Sequence, residues 1–177
     1  MKSLLIGNAL CLIASLILIS IGLIKTKKNI LIAQCFQCLF FALGNFALGG
    51  YTGAISNTVT IIRNLYSFKF PFNLPAKIVF IAFQLIFGYK VNTLGAIGFL
   101  PIIAGAVFTW FLDTKSDKVM KIVVVSTTVL FTIYDFRILN ISGFVFDLIS
   151  FVTNGIGMYR ILRDSKRKEE AKVESDN

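Results

Sequence analysis

Long apolar runs separated by short polar breaks dominate this chain. Residues 4–24 carry no charge, and residues 29–62 are interrupted only by uncharged polar side chains and a Gly49-Gly50 turn. Runs of about 18 or more apolar residues read as membrane-spanning helices, because ~20 residues rising 1.5 Å each cover ~30 Å of hydrocarbon. The pattern predicts helices over 4–24, 29–48, 51–68, 76–89, 91–112, 119–138 and 142–162. The fourth is the shortest, about 21 Å at the same rise, and starts beside Pro75. Residues 164–177 mix Lys, Arg, Glu and Asp without apolar periodicity and read as a charged tail.

The pattern also repeats. Residues 25–69 lie over 115–159 without a gap, an offset of ninety residues. Lys25 meets Lys115, Phe41 meets Phe131, Asn45 meets Asp135, and Gly53 meets Gly143. Further on, Asn57 meets Asp147, Thr60 meets Ser150, and Asn64 meets Asn154. Apolar matches are cheap, whereas the glycine, the asparagines and the lysine clusters are hard to obtain by chance. A duplicated membrane unit is found in many transporters, with the substrate site between the copies. The expected division is a first triple-helix bundle over 1–69, a linker with a fourth helix over 70–90, a second bundle over 91–163, and the tail over 164–177.

Composition agrees with a membrane protein. The chain is 56% hydrophobic, with mean hydropathy +0.79, more apolar surface than a soluble domain of 177 residues could hide. The first run is longer than the apolar core of a signal peptide and lacks a small-residue cleavage site, so it reads as a retained helix. The net charge of +9 comes from residues at helix ends rather than from a nucleic-acid-binding patch. If the fourth helix spans, Lys25, Lys27 and Lys28 share a side with Lys69, Lys77, Lys115, Lys118 and Lys121, leaving Lys2, Lys90 and Arg137 opposite. The positive-inside rule then sets the N-terminus outside and the C-terminus in the cytoplasm. The fold class is therefore all-α integral membrane, with seven transmembrane helices as two parallel three-helix bundles joined by a linker helix.

Polar residues within apolar spans are the candidates for function, because lipid penalises them unless they face the interior or a cavity. Asn57 and Asn64 are two helical turns apart and share a face, and Asp147 and Asn154 repeat that spacing. The repeat sets these four across a central axis, where amides suit a neutral, hydroxyl- or amide-bearing ligand. Asp147 is the one carboxylate well inside an apolar span, against neutral Asn57 in the other copy, and is the candidate proton-coupling group. Asp135, nearer the helix end, reads as hydrated or paired with Arg137. Arg63 is a gating candidate, although its stem is long enough to reach the headgroups. Phe41, Phe131 and Tyr134 form an aromatic set at mid-depth. Cys35 and Cys38 make a CxxC within a helix, which reads as packing rather than redox or zinc chemistry.

A triple-helix bundle, a linker helix and a second parallel bundle resemble the SWEET/PQ-loop superfamily. Residues 153–159, Thr-Asn-Gly-Ile-Gly-Met-Tyr, look like the Asn-Gly-x-Gly stretch on the third helix of SWEET bundles, with Arg63-Asn64 at the matching position. Within that superfamily the whole chain most resembles the YgjV-type bacterial inner-membrane proteins. The resemblance implies substrate-facing roles for Asn64 and Asn154, and for aromatics on the second and sixth helices. The chain departs from the SWEET pattern in having only Pro101 where paired hinge prolines occur. It also has no proline–glutamine pair, and Trp110 is its single tryptophan.

The leading expectation is a passive, alternating-access transporter of a small, mostly neutral polar metabolite, such as a sugar or vitamin-like solute. The alternatives are a proton-coupled exporter using Asp147 and a non-transporting membrane receptor. An enzyme is not expected, since the chain has no histidine and no glutamate before Glu169. No cofactor or metal is expected. The expected partners are the solute and the lipid bilayer of a bacterial inner membrane, with self-association compatible and nucleic acid excluded.

Overall fold

A computed structural model describes residues 1–21, 27–114, 116–152 and 163. These form α1 (Lys2–Ile21), α2 (Lys27–Ala47), α3 (Tyr51–Lys69), α4 (Leu74–Val91), a 3-10 turn (Gly95–Phe99), α5 (Leu100–Phe111) and α6 (Asp117–Arg137). The described part of the last helix, α7, is Ile141–Val152. No strand occurs among the described residues. Asn154, Lys25 and Lys115 lie outside them.

Polar side chains fill the interior and apolar ones cover the outside. Ser15, Thr52, Ser56, Asn64, Gln84, Thr109 and Asn140 are each no more than 2% exposed, whereas Leu5, Phe46, Val79, Tyr89 and Phe136 are each over 60% exposed. A surface in water would reverse that distribution; a surface in lipid requires it. Lys2–Ser20 and Leu74–Val91 are long and apolar enough to cross a membrane by length and composition, while Leu31–Ala47, Gly95–Phe111 and Ile141–Val152 are shorter apolar helices.

The helix boundaries depart most from the sequence pattern around α4. It has 18 residues, about 27 Å at 1.5 Å each, because Asn73 caps it by accepting from the Ala76 N–H at 3.2 Å and Pro75 fits its first turn. The fifth helix, expected from residue 91, begins only at Leu100. The polar pair Asn92-Thr93 interrupts the apolar run here, and Asn92 folds the chain into a turn. Its Nδ2 donates to the Gly95 carbonyl at 2.8 Å and its Oδ1 accepts from the Leu94 N–H at 3.0 Å. Gly95 takes φ +61° there, and Pro101 falls in the first turn of α5, where its missing N–H costs nothing.

Contacts between helix ends set the directions. Gly7 lies against Leu48, Ser56 donates to the Pro101 carbonyl at 3.1 Å, Arg63 meets Thr109, and Lys77 pairs with Asp113. Successive helices therefore alternate in direction, and α1 and α5 run parallel. Within this frame α2 packs on α1 and α3, α4 on α3 and α5, and α5 on α6.

The ninety-residue repeat is written into the turns. After α2, the Gly50 N–H bonds back to the Asn45 carbonyl at 2.7 Å and the Gly49 N–H to the Phe46 carbonyl at 3.1 Å; after α6, Asn140 bonds to Asp135 at 2.9 Å and Leu139 to Phe136 at 3.3 Å. This pair of bonds is a Schellman ending, which requires a left-handed residue just past the helix. Gly49 supplies it with φ +77°, and Leu139 must do so with φ +58°.

These two turns are held by the opposite copies. The N-terminus of α3 has no side-chain cap of its own, since Gly50 occupies that position. The Tyr134 hydroxyl of α6 replaces it, accepting from the Gly53 N–H at 2.9 Å and from Thr52 Oγ1 at 3.2 Å. In return Asn8 of α1 grips the α6–α7 turn, donating to the Leu139 carbonyl at 3.0 Å and accepting from the Ser142 N–H at 3.2 Å. Each copy thus completes a helix end in the other.

The linker helix is fastened by one amide. Gln84 is 1% exposed, and its Nε2 donates to Ser56 Oγ at 3.1 Å and the carbonyls of Pro101 and Ile102 at 3.2 and 3.0 Å. It reaches them over Gly105, where any Cβ would collide with the amide. Gln84→Ala should lower unfolding stability in detergent by about 1–3 kcal/mol, the cost of stranding buried partners; an unchanged denaturation midpoint would show the amide to be dispensable. Leu139→Gly should raise stability by about 0.5–1 kcal/mol and Gly49→Ala should lower it, because only the former relieves a left-handed backbone. Thermal melts of the two purified variants check the opposite signs.

Candidate functional site

A cavity of about 230 Å³ lies between the two copies. Its lining falls into repeat partners: Leu18 with Phe108, Gln37 with Thr127, Phe41 with Phe131, Asn45 with Asp135, and Asn57 with Asp147. These five pairs, with Val124, Thr128 and Ser150, draw the cavity wall from matching positions of the two halves of the sequence repeat. The alternation of hydrophobic and polar residues explains the inward set. Asn57 and Gly53 are one turn apart on α3, as are Asp147 and Gly143 on α7, so each helix presents a small residue and a polar one on one face.

The two glycines let polar tips pack against backbone. A Cβ on Gly53 would stand 2.6 Å from Asn45 Nδ2, and one on Gly143 would collide with Asp135 Oδ2. The geometry is the same in both copies while the chemistry differs, an amide on one side and a carboxyl on the other. Asp135 and Asp147 are near enough to interact electrostatically. Asp147 Oδ2 and Asn45 Oδ1 are buried with no hydrogen-bond partner. This end of the cavity therefore offers acceptors.

A second chamber of about 210 Å³ adjoins it, sharing Leu18, Gln37, Asn57, Phe108, Thr127 and Phe131. Gln34, Thr60 and Arg63 add polar groups to its wall. Arg63 is 3% exposed, so its side chain turns inward rather than out to the headgroups. Its Nη1 donates to Thr109 Oγ1 at 3.0 Å, its Nη2 to Asn64 Oδ1 at 3.4 Å, and its guanidinium sits 5.3 Å from the Phe108 ring centroid. Its Nε has no acceptor. The far end of the cavity therefore offers donors.

Of the residues singled out in the sequence, Phe41, Phe131, Asn57 and Asp147 line the first chamber, and Asn57, Phe131 and Arg63 the second. Asn64 stands behind Arg63: it is 1% exposed and donates from Nδ2 to Gln34 Oε1 at 3.3 Å, tying α3 to α2. Tyr134 is fully buried in the cap of α3 and belongs to neither chamber's lining. Asn154 falls outside the described residues. Asp135 is 6% exposed and faces the cavity, while Arg137 is exposed, so the two are not paired. Gln37, Thr127 and Asn45 are lining residues that the search for polar repeats in α3 and α7 passed over. Their signal was the same offset applied to α2 and α6.

No curated protein and no solved structure matches the chain. A family model described as a bacterial inner membrane protein, Imp-YgjV, matches residues 5–165. With a polar interior, an apolar exterior and a match over nearly its whole length, the chain belongs to the YgjV family of bacterial inner membrane proteins.

Proposed function

We propose that this protein is a transporter that passes a small polar solute through the central cavity. The observation that carries the reading is the lining itself, drawn in matched pairs from both copies. A site on the axis of a duplication is the one place that two rocking units can expose in turn to either side of a membrane. The units would be the bundles 1–69 and 91–163, as in the SWEET/PQ-loop plan, with α4 as the odd helix that keeps them parallel. The alternating helix directions, the 18-residue length of α4 and its Gln84 fastening support that arrangement. The lysines flanking the spans favour an outside N-terminus and a cytoplasmic C-terminus.

In this topology the turns held by Tyr134 and Asn8 lie at the outer face, and their bonds would have to open for the cavity to admit solute from outside. The solute is held by Asn57, Asp147 and the facing phenylalanines, whose rings supply flat apolar walls. A second reading couples flux to protons through Asp147, favoured by the neighbouring Asp135 on the same chamber.

In proteoliposomes, Asn57→Ala and Phe131→Ala should each cut solute flux by about tenfold, the equivalent of one lost contact worth ~1.4 kcal/mol. Tyr134→Phe should instead lower the melting temperature while leaving solute affinity unchanged. Flux unaffected by all cavity substitutions would remove the transport reading, and saturable binding without flux would make the protein a receptor. Asp147→Asn tests the coupling: a pH-dependent flux should become flat, and a wild-type profile already flat between pH 5 and pH 8 rules coupling out.

A further inference from the structure

Among the described residues, the charges facing the cavity lack counter-ions. At one end Asp135 is 6% exposed, and Asn45, 3% exposed, turns an unpartnered Oδ1 into the same space as the unpartnered Asp147 Oδ2. These atoms are all acceptors, and no basic side chain among the described residues lines their chamber. At the other end Arg63 keeps an Nε without an acceptor, and no acidic side chain among the described residues lines that chamber. The ion pair recorded among the described residues, Lys77 with Asp113, joins α4 to the turn after α5 instead. Buried charges of opposite sign, separated and each unpaired, call for an occupant that brings the complementary charge to both.

We propose that the cavity takes a zwitterion, with its ammonium at Asp135, Asp147 and Asn45 and its carboxylate at Arg63. The occupant is electrically neutral overall, which fits a site holding charges of both signs. Arg63 lies six residues beyond Asn57 on α3, about 9 Å along the axis. The two charges of the ligand are therefore several bonds apart, as in an ω-amino acid, and its methylene chain lies along Leu18, Phe41, Phe108 and Phe131. Guanidinium groups favour carboxylates by forked hydrogen bonding, and an ammonium beside carboxylates gains charge-assisted bonds.

This assignment rests on the reading of the cavity as a solute site, and four matched probes separate the two. Calorimetric titration of the purified full chain would compare δ-aminovalerate, amylamine, valerate and the diol of the same length. δ-Aminovalerate should bind at least about tenfold more tightly than each of the others, one charge-assisted contact being worth that factor. Arg63→Gln should abolish its advantage over amylamine, and Asp147→Asn its advantage over valerate. A variant that was merely destabilised would weaken all four probes together, and if neither variant folds the wild-type ranking decides. Amylamine or valerate binding as tightly as δ-aminovalerate overturns the proposal, as does no binding of δ-aminovalerate at millimolar concentration. Diol flux in proteoliposomes without zwitterion recognition also overturns it but leaves the transport reading standing. Zwitterion binding without flux does the reverse.

Discussion

A helix that begins inside a membrane protein must find acceptors for its first N–H groups, because lipid offers none. In this protein that requirement is met across the duplication. The hydroxyl of Tyr134, from the second copy, completes the start of α3 in the first; Asn8, from the first copy, completes the turn that starts α7 in the second. The start of α3 has no side-chain cap of its own, whereas the start of α7 has Asn140, whose Oδ1 accepts from the Gly143 N–H at 3.0 Å, and Asn8 adds to it. The relative placement of α1, α3, α6 and α7 follows from this exchange, and the cavity is the space it encloses. Gln84 does the corresponding work for the linker, drawing α3 and α5 onto α4 with a single amide.

Elsewhere in the interior, polar groups are saturated close to home. Threonine and serine hydroxyls bond to carbonyls one turn back along their own helices, as Thr127 does to Val123 at 2.8 Å and Ser15 to Cys11 at 2.9 Å. Among the described residues four buried polar atoms have no partner: Asn45 Oδ1, Asp147 Oδ2 and Arg63 Nε belong to residues lining the cavity, and Asn140 Nδ2 lies in the α6–α7 turn. Buried polar groups in the rest of the interior find partners, either within their own helix or, as for Gln84, Ser56 and Asn64, on a neighbouring one.

Helix positions were legible in the sequence because each apolar run is long and each break is marked by glycine, proline or lysine. The exception was the start of α5, where the polar break at Asn92-Thr93 is only two residues long and the apolar pattern resumes at Leu94, while the side-chain turn of Asn92 and a 3-10 turn delay the helix to Leu100. The inward face was legible too, since a ninety-residue offset carries Phe41 to Phe131 and Asn57 to Asp147 without knowledge of packing. What the offset could not show was the rotation of each helix about its own axis. That rotation decides that Asn64 backs Arg63 instead of facing the cavity, and that Tyr134 caps a helix instead of lining it. Tyr134 corresponds to Gly44 in the other copy, so this clasp has no repeat partner to reveal it. Arg63 likewise corresponds to Thr153, and its inward turn depends on Thr109 and Phe108 from a helix far away in sequence.

The broken pairs, Asn45 against Asp135 and Asn57 against Asp147, have a consequence for how an occupant sits. Because the copies run parallel, an intact twofold site would accept any molecule equally well in two poses related by a half-turn about the axis, and would gain a statistical factor of two from that indifference. Carboxyls in one copy and amides in the other make the orientations unequal. An occupant is then held in one rotational pose about the axis, with one particular side turned toward the carboxyls of the second copy.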